Sequence, residues 1–173
     1  MGVMPTDPVI EQLRDRGAEG EVTTLAESAR TAALAAAQLG VEVGAIANSL
    51  VFAQGPSAAP AEPGSGQQGS GQPPVPLLVL ASGAHRVDTA GLAQRLGSGK
   101  IRRASPEFVL EHTGQLVGGV APVGHPRPVP TVIDPDLAQF GVLWAGGGDK
   151  YTMFATSFDQ LVAMTGGTVI PVA

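Results

Sequence analysis

Between Gln54 and Pro76 the chain offers a folded interior almost nothing. The run Gly64-Ser65-Gly66-Gln67-Gln68-Gly69-Ser70-Gly71-Gln72 has no apolar side chain, so no burial offsets the entropy lost on ordering it. Strand-length apolar runs flank the tract, Leu50–Phe52 before it and Leu77–Leu80 after it. Neither side is complete alone. The expectation is therefore one domain over residues 1–173 with an overgrown, flexible hairpin loop at 54–76, because lengthening a loop adds little closure entropy. The composition favours a spacer over a functional segment.

Helix signals recur along the rest of the chain. Pro8 to Arg14 predicts a short helix stopped by Gly17, and Val22 to Leu25 an extended piece. Ser28 is a candidate N-cap for an Ala-rich helix to Leu39, with Gly40 as its terminator. After a turn near 42–45, Ser49 to Phe52 reads as a buried strand. Asp88 or Thr89 caps a helix to Leu96 that Gly97 ends, and Ser105-Pro106 opens another to His112 that Gly114 closes. Thr131 to Ile133, Gly141 to Ala145 and Tyr151 to Ala155 read as strands, the last two joined across Gly146–Lys150. Asp134-Pro135-Asp136 is a turn signal before it is an acid/base pair. Ser157 with Gln160 forms a capping box for a helix to Met164, and Thr168 to Val172 ends the chain as a strand. This uneven alternation with hairpins predicts an α+β fold: a mixed, largely antiparallel sheet, partly barrel-like, flanked by helices.

The stretch from Gly118 to Pro126 holds three glycines and two prolines in nine residues, which excludes a helix interior or a central strand. Such a loop is stiff and nearly bare of side chains. It can be a tight crossover between strands, or it can hold a small polar group by backbone contacts with His125 beside it. Gly146-Gly147-Gly148 is no phosphate loop, since a strand and not a helix follows it. No Gly-x-Ser-x-Gly elbow is present, and His85, His112 and His125 are too far apart for a metal-ligand spacing.

Composition narrows the chemistry further. The chain of 173 residues has no cysteine, which removes disulfides, thiolate zinc sites and a cysteine nucleophile. Its 43% hydrophobic residues include only 4% aromatics, so the core is aliphatic. A formal charge of −5 argues against a nucleic-acid coat protein and for no general DNA partner. Within that acidic chain, Arg86, Arg95, Lys100, Arg102 and Arg103 face only Asp88, a local basic segment suited to phosphate or to plain solvation. No secretory pattern opens at Met1, and the apolar stretch from Thr31 to Ala47 is broken by Gln38 and Glu42. The expectation is a cytoplasmic protein with no membrane partner.

Several pieces occur together in a recognisable order: Glu27-Ser28-Ala29-Arg30-Thr31-Ala32, Gly40-Val41, Ile46 to Phe52, Ser82-Gly83-Ala84-His85-Arg86-Val87-Asp88, the Gly118–Gly124 loop with Gly-x-x-x-Pro, and the tail Thr152–Val172. In these the chain resembles the YbaK family, free-standing relatives of the editing domain inserted in bacterial prolyl-tRNA synthetases. The resemblance covers nearly all of the chain outside the 54–76 loop. It implies a trans-acting deacylase that cuts the ester between a small wrong amino acid (Ala, Cys, Ser or Thr) and the terminal adenosine of a mischarged tRNA. It further implies substrate-assisted chemistry without cofactor or metal. Carried over, the cradle for the aminoacyl group is Gly118 and Pro122, with Gly119 and Val120 as amide donors and Ser82 and Arg30 as further substrate contacts. His125 is a polar helper, and Arg86, Lys100, Arg102 and Arg103 are the tRNA-facing cations. The acceptor end of the tRNA is the implied partner, with a synthetase as a second one. The family's usual lysine before Ser-Leu-Val-Phe is Asn48 here, which keeps hydrogen bonding but loses the charge. Two readings follow from that exchange: an enzyme in which Asn48, or a cation such as Arg30 or Lys150, serves as anchor, and a silent module that binds a tRNA end or a protein.

Overall fold

The computed structural model describes residues 22–28, 31–55, 74–115, 120–127, 129–148 and 151–173. The expected helix at 8–17, Arg30, most of the 54–76 loop, Gly118, Gly119 and Lys150 lie outside them. Eight strands form one sheet: β1 (Val22–Thr24), β2 (Ile46–Gln54), β3 (Val75–Ser82), β4 (Ile101–Arg103), β5 (Thr131–Ile133), β6 (Leu143–Gly146), β7 (Thr152–Thr156) and β8 (Thr168–Val169). The order β1-β7-β6-β2-β3-β5-β8 leaves the sheet open at both ends, and β4 adds to β2 off this path. Four pairings are antiparallel, β1–β7, β2–β3, β2–β4 and β6–β7; β2–β6, β3–β5 and β5–β8 are parallel.

The β2–β3 pair is the axis of the molecule, in register without interruption from Ala47↔Ser82 to Gln54↔Val75. Leu77 to Ser82 of β3 are all buried, as expected for a strand covered on both faces. Side-chain alternation sends Leu78 and Leu80 into one core with Ala47, Val109, Val120, Phe154 and Leu161, and sends Leu77 and Val79 into another with Phe52, Leu92, Ile101 and Val132. A third, smaller core gathers Ile46 with Ala35, Ala36 and Met153 at the start of β2.

Helices α1 (Ala32–Leu39), α2 (Thr89–Leu96), α3 (Pro106–Thr113) and α4 (Phe158–Thr165) end at Gly40, Gly97, Gly114 and Gly166, each left-handed. Asp88, Ser105 and Ser157 cap α2, α3 and α4 as the sequence predicts. The cap of α1 is Thr31 and not Ser28, because the Thr31 hydroxyl accepts the Leu34 N–H at 3.2 Å. The box at Ser157 is half formed, since Gln160 Oε1 accepts from Thr156 Oγ1 instead. The final strand stops at Val169, and β4 is an addition to the expected elements: three residues recruited by the end of β2, too short to carry a period of their own.

Candidate active site

A break in the sheet defines the site. β3 occupies one edge of β2 throughout, while the other edge carries β6 at Ile46–Ala47 and β4 at Phe52–Gln54. Along that second edge no strand among the described residues pairs Asn48 to Val51, an opening of ~13 Å at ordinary strand rise. Burial records the same break: β2 is covered at Ile46, Ala47 and Phe52, yet only partly covered at all four residues between. A cleft of about 860 Å³ runs through the opening, lined among others by Asn48, Ser49, Val51, Val120, His85 and Arg86.

Backbone direction in the opening follows from the ladder. Ile46 O accepts from Gly83 N, and Gly55 N donates to Lys100 O, so even-numbered residues of β2 turn their polar groups to β3 and odd-numbered ones turn away. The N–H and C=O groups of Ser49 and Val51 therefore point into the break. Side chains part here too. Ser49 lies opposite Leu80 on the face of Ala47 and Val51; Asn48 lies opposite Ala81 on the face of Leu50 and Phe52. Both residues line the cleft, from opposite faces of the strand.

The glycine-proline loop covers the Ser49 face. Val120, Ala121 and Val123 are 5%, 0% and 3% exposed and belong to the core that contains Ala47 and Leu80. Gln115, 1% exposed, holds this half of the loop like a strand partner: its Oε1 accepts from Ala121 N at 2.7 Å and its Nε2 donates to Val123 O at 3.1 Å. Thr113 supports it, with Oγ1 donating to Val109 O and accepting from Gln115 N. His125 Nε2 lies 2.9 Å from Ala121 O; a carbonyl can only accept, so this nitrogen carries the proton. His125 thus braces the loop from behind, Pro122 is buried within it, and Val120 is its residue on the cleft.

Beside the cleft is a second polar group. Asp134, 2% exposed, accepts Ser82 N at 3.1 Å on Oδ2 and Asp136 N at 3.0 Å on Oδ1. His85 is held at both ring nitrogens, Nδ1 at 2.7 Å from Asp134 Oδ2 and Nε2 at 2.9 Å from Asp136 Oδ2. These donor atoms lie within 4.8 Å of one another, a spacing a cation could use, but each is already engaged with another member of the group. The cluster ties the end of β3 to the turn after β5. Ser82 spends its hydroxyl on Gly44 O at 2.8 Å and is not on the cleft, whereas Gly83 is; a Cβ there would collide with Val43 O and Ala32 Cβ.

Of the expected cations, Arg86 and Arg103 reach the cleft. Arg103 pairs with Phe52 and so lies on the Asn48 face; Arg102 pairs with Ala53, on the opposite face, and neither it nor Lys100 lines the cleft. Sequence reasoning missed Gln115, Ser49 as a side chain of its own, and the His85–Asp134–Asp136 group. His85 and Asp134 stand 49 residues apart, and no local spacing announces their contact.

Comparison with known proteins gives a consistent answer. A family model for the aminoacyl-tRNA editing domain matches residues 26–164. The uncharacterised protein YwhH of Bacillus subtilis (strain 168) is 31% identical over 132 residues, 76% of this chain and 73% of that one. Among solved structures, a proposed trans-editing enzyme for prolyl tRNA synthetase is 35% identical with a TM-score of 0.81, over 99% of this chain and 98% of that one. The hypothetical protein APE2540 is 27% identical with a TM-score of 0.79, over 96% of this chain and 99% of its own.

Proposed function

The chain belongs to the aminoacyl-tRNA editing-domain family, and from that premise we propose that it hydrolyses the ester of a small amino acid wrongly attached to a tRNA. The observation that carries this reading is the break in the sheet: a cleft with strand-edge amides, a stiff loop on one face, Arg103 by the other, and Arg86 also in its lining. Hydrolysis joins a water oxygen to the ester carbonyl carbon and releases the ribose hydroxyl with a proton. Charge develops on the carbonyl oxygen, where fixed backbone N–H groups act without reorganising. The Gly118–Pro122 segment is the cradle, with Gly119 and Val120 as donors. Asn48 anchors the terminal nucleotide or the aminoacyl group, and Arg86 and Arg103 meet the phosphates of the acceptor end. A ribose hydroxyl or the substrate's own group assists the attack, so the chain needs no nucleophile.

Such an enzyme answers a physical limit. A synthetase pocket separates amino acids differing by one small group by only ~1–3 kcal/mol, so a second site must clear the errors. The test is deacylation of a panel of mischarged tRNAs: Ala and Cys on tRNA for proline, with Ser and Thr beside them. Hydrolysis of one or more is expected, together with its loss in a folded Gly118→Val variant. Retained activity in that variant removes the cradle assignment. Binding of the whole panel without hydrolysis supports instead the silent module, the reading that the exchange of the family lysine for Asn48 favours. Asn48→Lys would then create activity.

A further inference from the structure

The opening beside β2 contains one more polar atom, and nothing among the described residues bonds it. Ser49 Oγ is shut off from solvent and has no hydrogen-bond partner, alone in this among the side chains of the described residues. A buried hydroxyl without a partner is costly, and folded chains rarely keep one unless something else supplies the bond. This one is on the face that Val120 to Val123 cover, beside the N–H and C=O groups of Ser49 and Val51 that β6 and β4 leave without a strand. Donor, acceptor and hydroxyl thus converge on one wall of the cleft.

We infer that the aminoacyl group of the substrate lies along this unpaired edge of β2, its ester and amino groups bonded to the backbone of Ser49 and Val51 and a polar atom taken by the Ser49 hydroxyl. The inference rests on the deacylase reading and adds to it a specificity-determining residue and an orientation. The opening is closed at one end by β6 and at the other by β4, and its ~13 Å length matches an amino acid joined to a ribose. Arg103, which lines the cleft, stands on the Asn48 side, which places a nucleotide phosphate there and the amino acid on the Ser49 side.

A purely structural serine and a ligand-binding one differ in sign. Removing an unpartnered buried hydroxyl relieves the fold, whereas removing a ligand's partner weakens binding. The experiment compares wild type, Ser49→Ala and Ser49→Thr by thermal unfolding, by deacylation of the best substrate of the panel, and by binding of the matching 3′-aminoacylamino-3′-deoxyadenosine, which cannot be hydrolysed. Ser49→Ala is expected to unfold at the same temperature or higher while affinity and kcat/KM fall about tenfold or more, as for one lost hydrogen bond in a closed site. Ser49→Thr should recover most of that loss. Equal affinity and kcat/KM in Ser49→Ala overturn the inference and leave the deacylase standing. A clear drop in unfolding temperature assigns the hydroxyl to the fold and overturns it as well. If wild type neither hydrolyses nor binds, the deacylase reading falls together with it.

Discussion

Gln115 shows how a single polar side chain can be buried in an aliphatic core. Both ends of its amide are used, one on Ala121 N and one on Val123 O, so its polar atoms leave water without losing hydrogen bonds. The loop gains a partner that no strand provides. Gln115→Leu keeps the approximate volume but strands a buried donor and a buried acceptor, each with a penalty of ~1–3 kcal/mol. Chemical denaturation should show a loss of ~2 kcal/mol or more, with deacylation reduced further than the folded fraction explains, because the cradle is displaced. Activity unchanged beside a large stability loss would mean that the loop geometry does not matter to the reaction. Gln115 stands just past the helix closed by Gly114, where a polar residue reads as ordinary loop, so its role was not legible in sequence. The loop itself was legible, because only glycine and proline write such a backbone so plainly.

At the scale of elements, the fold depends on which edges are joined. Asp134 ties the end of β3 to the turn after β5, and the two carboxylates that hold His85 differ sharply in burial: Asp134 is 2% exposed, Asp136 53%. Asp134→Ala leaves Ser82 N buried without its acceptor and should cost ~1–3 kcal/mol. Asp136→Ala removes a largely solvated contact and should cost at most ~1 kcal/mol. Urea unfolding of the two variants checks the ordering, and equal costs would show that the brace is not what holds this corner. The capping signals at Asp88, Ser105 and Ser157 were read correctly because a cap is settled within four residues. The three residues of β4 were not, because a strand that short exists only through its partner.

Across the whole molecule, charge is distributed unevenly: a net −5 overall, with basic residues collected between Arg86 and Arg103. The fold then divides that cluster, placing Arg86 and Arg103 on the cleft and Lys100 and Arg102 off it. Replacing both Arg86 and Arg103 by Gln should flatten the dependence of log affinity for tRNA on log salt by ~1.4, two phosphate contacts at ~0.7 each for a single-stranded end. An unchanged salt slope, measured by filter binding, would take the phosphates away from these arginines. No helix among the described residues is long and apolar enough to cross a membrane.

What the sequence determined by itself is whatever depends on near neighbours: three of the four helix caps, the glycine stops, the apolar runs of β2 and β3, and the ordered set of motifs that carries the family. What only the tertiary structure decided is the stretch of edge between β6 and β4 that no described strand pairs, the side of β2 on which Ser49 and Asn48 fall relative to the loop, and the meeting of His85 with Asp134. The physical reason is the range of the interactions. A helix cap is fixed by the few residues it touches, whereas an unpaired edge is a property of where other strands stop, and no residue within the opening encodes that.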